Sequence, residues 1–131
     1  MLGGLMMTPE YMDEDRKKLV ELLIEGEINK NEAKCLIFIA DKDDVKSKEM
    51  EDALDLRQPV VSIAVQELRE KGWIEKKDVK KSGKGRPTHA YNIKKPIDEI
   101  VNDVIKDIEK EIEELKDKKR ELRDLTMSLY F

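Results

Sequence analysis

The sequence has very little of the side-chain chemistry that metal sites and catalytic sites need. Its 131 residues include one histidine and one cysteine, Cys35. A single cysteine excludes an intrachain disulfide. One histidine with one cysteine also falls short of the four nitrogen or sulfur ligands that a structural zinc site normally takes. Because no second histidine can relay protons and no paired nucleophile is evident, we predict no metal, no cofactor and no enzymatic activity.

Long apolar runs are also missing. No stretch approaches the roughly 18 to 20 apolar residues that span a membrane. The first 12 residues lack the basic flank and the apolar stretch of a signal peptide. We therefore expect a cytoplasmic protein with no membrane partner, in which residues 1–12 form a flexible leader. Charged residues make up 43% of the chain, so the core is small or long elements carry their charges on solvated faces.

The net charge of −4 is unevenly distributed along the chain. Residues 57–95 hold eleven lysines and arginines against four acids, a balance of +7, which leaves −11 for the other 92 residues. Such an asymmetry indicates one basic surface on an otherwise acidic body, and it is typical of proteins that bind nucleic acid.

Hydrophobic periodicity predicts a mainly helical chain with one small β-hairpin. Helices are predicted at 13–26, 29–41, 47–56 and 57–72, strands at 73–79 and 88–93, and a long helix from 97 to about 129. Asn29 and Ser47 are candidate N-caps, Pro59 suits the first helical position and Gly72 suits a left-handed helix end. The third and fourth helices are joined by a turn of only about three residues, which is typical of a helix-turn-helix motif. Cys35 is expected to be a small buried residue of the second helix rather than a redox sensor.

The long C-terminal helix carries an apolar stripe with a coiled-coil-like heptad rhythm. A lone helix cannot bury such a stripe on itself, so we predict that residues 96–131 form a dimerisation helix. The stripe can alternatively fold back on its own domain. The predicted dimerisation residues are Val101, Val104, Ile108, Leu115, Leu122 and Leu125.

Residues 29–95 resemble the winged helix-turn-helix transcription regulators, most closely the archaeal TrmB-type and MarR-type groups. The likeness is carried by "NEAK" at the start of the second helix, "LREKGWIEK" at the end of the fourth, and "GKGRP…AYNI" after it. The resemblance implies a homodimer that places two recognition helices in successive major grooves of DNA. TrmB-type regulators usually continue from the winged domain into a sugar-binding domain. In this sequence one long helix follows the winged domain instead, so we assign no sugar effector.

The fourth helix is the predicted recognition helix. Four apolar residues are expected to face the core: Val61, Ala64, Val65 and Leu68. Glutamine can pair with adenine, arginine with guanine, and an apolar tip can contact the thymine methyl group. The predicted DNA-contacting residues are therefore Arg57, Gln58, Val60, Ser62, Ile63, Gln66 and Arg69. The alternative is that they form only a solvated helix face.

The loop between the two strands is the predicted wing. Its cations Lys80, Lys81, Lys84 and Arg86 surround two glycines, and such cations neutralise DNA phosphates. We assign His89 to the same basic surface, as a hairpin residue near the backbone. A nucleotide-binding loop is disfavoured, because the spacing lacks the G-x-x-x-x-G-K-S/T pattern and no helix follows. A disordered linker is the remaining alternative.

Taken together, the sequence predicts a winged helix-turn-helix domain at 13–95 followed by the dimerisation helix. The predicted function is a homodimeric regulator that binds specific double-stranded DNA. The alternative is a winged-helix module that docks on proteins of transcription or assembly machinery and binds DNA weakly. Neither an effector ligand nor the operator sequence follows from the residues.

Overall fold

A computed structural model describes residues 13–79 and 88–131. Within those ranges the chain forms, in order, α1 (Glu14–Glu25), α2 (Lys30–Ala40), α3 (Ser47–Leu54), α4 (Gln58–Glu70), β1 (Ile74–Val79), β2 (Thr88–Ile93) and α5 (Ile97–Tyr130). The predicted class, mainly helical with a small hairpin and a long C-terminal helix, is confirmed. The contacts divide the chain into two compact units, one that ends at Ile97 and one formed by Asp98–Phe131.

The first two helices begin at side-chain caps. The Asp13 carboxylate accepts the Arg16 backbone N–H at 2.9 Å, which starts α1. The Asn29 side chain accepts the backbone N–H groups of Asn31 and Glu32 at 2.9 and 3.4 Å, so the predicted cap of α2 is confirmed. Each cap supplies an acceptor to a helix N–H that has no partner inside the helix.

The predicted cap of the third helix is wrong by one residue. Lys46, not Ser47, holds the cap position of α3, and Ser47 is the first helical residue. The reason is the Glu49 carboxylate, which accepts the Lys46 backbone N–H at 2.9 Å. That bond fixes the backbone of the cap residue without a serine hydroxyl.

The joint between α3 and α4 is three residues long, as predicted. Asp55 ends α3 in the left-handed region at φ 55°, which turns the chain sharply. Arg57 is the cap of α4, so Pro59 is the second helical residue rather than the first. Gly72 has φ +80°, as expected for a glycine that follows the end of a helix.

The hairpin pairs β1 with β2 in antiparallel register, with Ile74 opposite Ile93 and Asp78 opposite His89. A third segment joins this sheet. Val45, in the loop between α2 and α3, donates its N–H to the Tyr91 carbonyl at 3.0 Å and accepts the Tyr91 N–H at 2.7 Å. This bridge ties the hairpin to the chain that leads into α3.

The core lies among α1–α4 and the inner side of the hairpin. It includes most of α2 (Ala33, Cys35, Leu36, Ile37, Phe38 and Ile39). From the hairpin and the residue before it, Trp73, Ile74 and Tyr91 are buried. Cys35 is fully buried as expected, and burial raises the pKa of its thiol to about 12.

Helix α5 is 34 residues long, close to the predicted length. Ile100 and Val104, in its first third, are buried. Further along, large apolar side chains are exposed, among them Ile108, Leu115, Leu122, Leu125 and Leu129. None of the described helices combines the length and apolarity that crossing a membrane requires.

Candidate nucleic-acid interface

Helix α4 has one face in the core and one face in solvent. Val61, Ala64, Val65 and Leu68 are between 0 and 4% exposed, which confirms the predicted inward stripe. These residues recur at i, i+3, i+4 and i+7, so they lie on one side of the helix. The opposite side faces solvent.

Six of the seven predicted recognition residues are exposed. They are Arg57, Gln58, Ser62, Ile63, Gln66 and Arg69, while Val60 is half-buried. Ile63 is the most conspicuous, because a large apolar side chain is 66% exposed in the middle of the helix. The Gln66 amide donates to the Glu70 carboxylate at 3.4 Å, which links two residues of the outward face.

The two flanks of α4 differ in charge. Gln58, Ser62 and Arg69 share one flank, because they are spaced by four and seven residues. The other flank carries Val60 and Glu67. Alongside it lies a surface cavity of about 280 Å³, between the start of α2 and α4, and Glu32 and Glu67 both line it. Of these two carboxylates, Glu32 is paired with Lys71, so the flanks differ by Glu67 on one side and Arg69 on the other.

The C-terminal end of α4 is held to α2 by an ion pair. Glu32 is only 8% exposed, and its carboxylate oxygen lies 2.6 Å from the Lys71 ammonium nitrogen. The same ammonium group lies 5.0 Å from the centre of the Trp73 ring, within the range of a cation–π contact. Lys71 therefore connects the start of α2, the end of α4 and the residue that leads into the hairpin.

A second polar cluster fixes the hairpin. Asp44, at φ 52°, donates its backbone N–H to the Asn92 side chain at 2.8 Å. The Asn92 amide donates back to the Asp44 carboxylate at 3.0 Å, and the Lys77 ammonium lies 3.0 Å from that carboxylate. The Asn92 hydrogen bond and the Lys77 charge lower the pKa of Asp44. The cluster thus joins the loop before α3 to both strands.

The predicted wing residues are only partly within the described chain. Lys80, Lys81, Lys84 and Arg86 lie outside the described residues. His89 lies on β2, exposed, and its Nδ1 is 2.8 Å from the Asp78 carboxylate on the paired strand. The contact places a carboxylate beside His89 at this end of the hairpin, and the assignment of His89 to the wing surface stays a prediction.

One known family model matches part of the chain. Residues 28–85 match the model of the MarR family. That range begins just before the cap of α2 and includes α2, α3, α4 and β1. The matched range agrees with the MarR-type part of the resemblance over the helix-turn-helix and the first strand, whereas the TrmB-type part and the archaeal source stay predictions. No curated protein matches the chain.

Three solved structures align with most of the chain. The crystal structure of MarR has a TM-score of 0.50 and 18% identity, over 88% of this chain and 85% of that one. A MepR mutant from a multidrug-resistant S. aureus clinical isolate has a TM-score of 0.49 and 18% identity, over 89% of this chain and 91% of its own. A second S. aureus MepR mutant has a TM-score of 0.48 and 19% identity, over 88% and 90%. At such identities, the likeness to MarR shows a shared winged-helix fold and no more.

Sequence patterns missed the two polar clusters. Glu32 and Lys71 are 39 residues apart, and Asp44 and Asn92 are 48 apart. A heptad or strand pattern reports which face of one element is apolar, but not which distant charge it meets. The sole advance signal was Glu32, the one acid of α2, in a helix whose last six residues are apolar.

Proposed function

We propose that the protein is a homodimeric transcription regulator that binds specific double-stranded DNA. The observation that carries the proposal is the division of α4 into a buried stripe and an exposed face. On the exposed face six predicted recognition residues stand clear of the core. A helix that presents polar side chains on a winged helix-turn-helix scaffold is suited to the major groove.

Base reading is assigned to the outward face and the Arg69 flank of α4. Arg69 can donate two hydrogen bonds to guanine, Gln58 and Gln66 can pair with adenine, and Ile63 can contact the thymine methyl group. Glu67 lies on the opposite flank, where its charge disfavours a phosphate. DNA is therefore expected to approach α4 from the side of Gln58, Ser62 and Arg69.

Backbone contact is assigned to the wing, the segment between β1 and β2. Its four cations, Lys80, Lys81, Lys84 and Arg86, add no sequence information but add affinity and orientation. The strands on either side are paired, and the Asp44 cluster joins them to the loop that precedes α3. The wing therefore starts from a fixed base near the helix-turn-helix.

Dimerisation is assigned to α5. Ile108, Leu115, Leu122 and Leu125 are 37 to 71% exposed in the single chain. An apolar stripe of this length in water favours pairing with a second helix. Of the other two predicted residues, Val101 is half-buried and Val104 is buried within one chain, so the exposed part of the stripe is the proposed interface. Two-fold symmetry of the protein then imposes a symmetric DNA site.

The test is the salt dependence of binding to duplex DNA. Each phosphate that a cation neutralises contributes about 0.9 to the slope of log affinity against log salt. The double variant Lys84→Ala/Arg86→Ala should flatten the slope. The matched control Lys18→Ala/Lys106→Ala removes two exposed cations from α1 and α5 and should leave the slope unchanged. No duplex binding by the wild-type protein at low salt would rule out the proposal.

A second function is favoured by one observation. Ile63 and Glu70 lie on the outward face of α4, where an apolar side chain and an acid suit a protein partner as well as DNA. In that reading the winged helix docks on another protein and binds DNA weakly. Equal, shallow salt slopes for the wing variant and its control would favour this alternative.

A further inference from the structure

The charge of α5 reverses sign in the middle of the helix. Residues 109–114 hold four acids and one lysine, a balance of −3, whereas residues 116–123 hold five cations and two acids, a balance of +3. Leu115 separates the two segments and is 56% exposed. We call residues 109–114 the acidic segment and residues 116–123 the basic segment.

The helix dipole does not account for this reversal. The dipole favours acids in the first turn and cations in the last, and its effect falls off within one turn. The reversal at Leu115 lies about 18 residues from the start of α5 and about 15 from its end. Ion pairs along the helix, Lys116 with Glu113 and Arg120 with Asp117, join some of these charges but leave the balance of each segment unchanged.

We propose that two copies of the chain pair through antiparallel α5 helices that cross at Leu115. This inference rests on the homodimer of the proposed function and specifies its geometry. In an antiparallel pair centred there, the acidic segment of each copy faces the basic segment of its partner, twice by symmetry. In a parallel pair, each segment faces its own like-charged copy, which repels.

The exposed apolar residues of α5 fit the same arrangement. Ile108 and Ile112 lie on one side of Leu115 along the chain, and Leu122 and Leu125 on the other, all between 37 and 71% exposed. An antiparallel pair centred at Leu115 sets Ile108 of one copy opposite Leu122 of the other. Apolar contact thus supplies the attraction, and the charges select the direction of the partner helix.

Distances between identical sites in the two copies test the direction. Spin labels on Lys106→Cys, Glu113→Cys and Arg120→Cys occupy positions seven residues apart, which share one face of a paired helix. At a rise of about 1.5 Å per residue, an antiparallel pair centred at Leu115 separates these sites along the axis by about 27, 6 and 15 Å. A parallel pair gives no axial separation at any of the three.

The native thiol does not interfere with these labels. Cys35 is fully buried, and its raised pKa keeps it protonated, so the wild-type chain is the unlabelled control. Electron–electron distances should be shortest at residue 113 and longest at residue 106. Three equal distances would overturn the antiparallel proposal and leave the homodimer intact. An absence of intermolecular distances would reject the homodimer itself.

Ionic strength gives an independent measurement on the unmodified chain. The Debye length, beyond which salt largely screens the interaction of two exposed charges, is about 10 Å at 0.1 M and about 3 Å at 1 M. Opposite charges across the interface therefore predict that the dimer dissociation constant, measured by sedimentation, rises as sodium chloride increases from 0.05 to 0.5 M. A dissociation constant that falls over that range would indicate facing like charges and contradict the proposal.

Discussion

The two faces of α4 predict opposite results for two substitutions of similar size. Leu68 is fully buried and Ile63 is 66% exposed. Leu68→Ala removes a buried isobutyl group and leaves a cavity, which typically costs about 2 to 5 kcal/mol of unfolding free energy. Ile63→Ala removes side-chain atoms that are mostly in water, so the change should stay within about 0.5 kcal/mol. Of the two, only the Ile63 variant should alter DNA selectivity at unchanged stability.

Urea denaturation and duplex binding of both variants, at one protein concentration, measure the pair of effects. A loss of about 3 kcal/mol moves the urea midpoint by about 1 to 3 M, because the slope is about 1 to 3 kcal/mol per M. A stable Leu68→Ala protein would contradict the assignment of the buried stripe. An Ile63→Ala protein with unchanged affinity for every DNA sequence would remove Ile63 from the interface.

Three further predictions concern the polar clusters and the buried thiol. Lys71→Met should lower the unfolding free energy by about 1 to 3 kcal/mol, because it leaves the buried Glu32 carboxylate without its ion-pair partner. The double variant Lys71→Met/Glu32→Gln should recover part of that loss in its urea midpoint, and no recovery would argue against a stabilising ion pair. The folded pKa of Asp44 lies below its ordinary 3.8, so its ionisation stabilises the fold above about pH 4, and this contribution is lost as the pH falls through the folded pKa. The Asp44→Asn variant should therefore lose less unfolding free energy than the wild type between pH 7 and 3. An equal loss in both proteins would show that the Asn92 contact does not cause the pH dependence. Cys35, with its pKa raised to about 12, should resist a thiol-reactive chromophore at pH 8 in the native protein and react at once in urea; fast native reaction would show that the thiol is accessible.

The sequence predicted most of the fold because most elements carry their own signals. Val61, Ala64, Val65 and Leu68 repeat at helical spacing, and each is buried where the pattern placed it. Gly72 took the left-handed conformation that ends α4. Such features depend on residues a few positions apart, which is the range over which periodicity and capping rules operate.

What the sequence did not predict depends on contacts between distant residues. The Val45 bridge to Tyr91 adds a single residue to the sheet, too short for an alternating pattern to mark. The cap of α3 moved to Lys46 because a carboxylate three residues later reached back to it. The cap rules allow both choices, and side-chain reach decides between them.

The sequence predicted which face of α4 is exposed, but not how charge is distributed around that face. The spacing of the apolar stripe identified which residues of α4 point outward. It did not show that Glu32 joins Glu67 beside one flank, because Glu32 belongs to α2. It also did not show that the Asp78 carboxylate lies beside His89.

The most direct test of the proposed regulator is the selection of bound sequences from random duplex DNA by the full-length protein. A homodimer with two recognition helices predicts an enriched palindrome whose half-sites are separated by whole helical turns. Arg69→Ala should relax the preference at one position of each half-site, with a loss of about 1 to 3 kcal/mol in discrimination. Bound sequences with no enrichment, or with no two-fold symmetry, would contradict sequence-specific binding by a dimer.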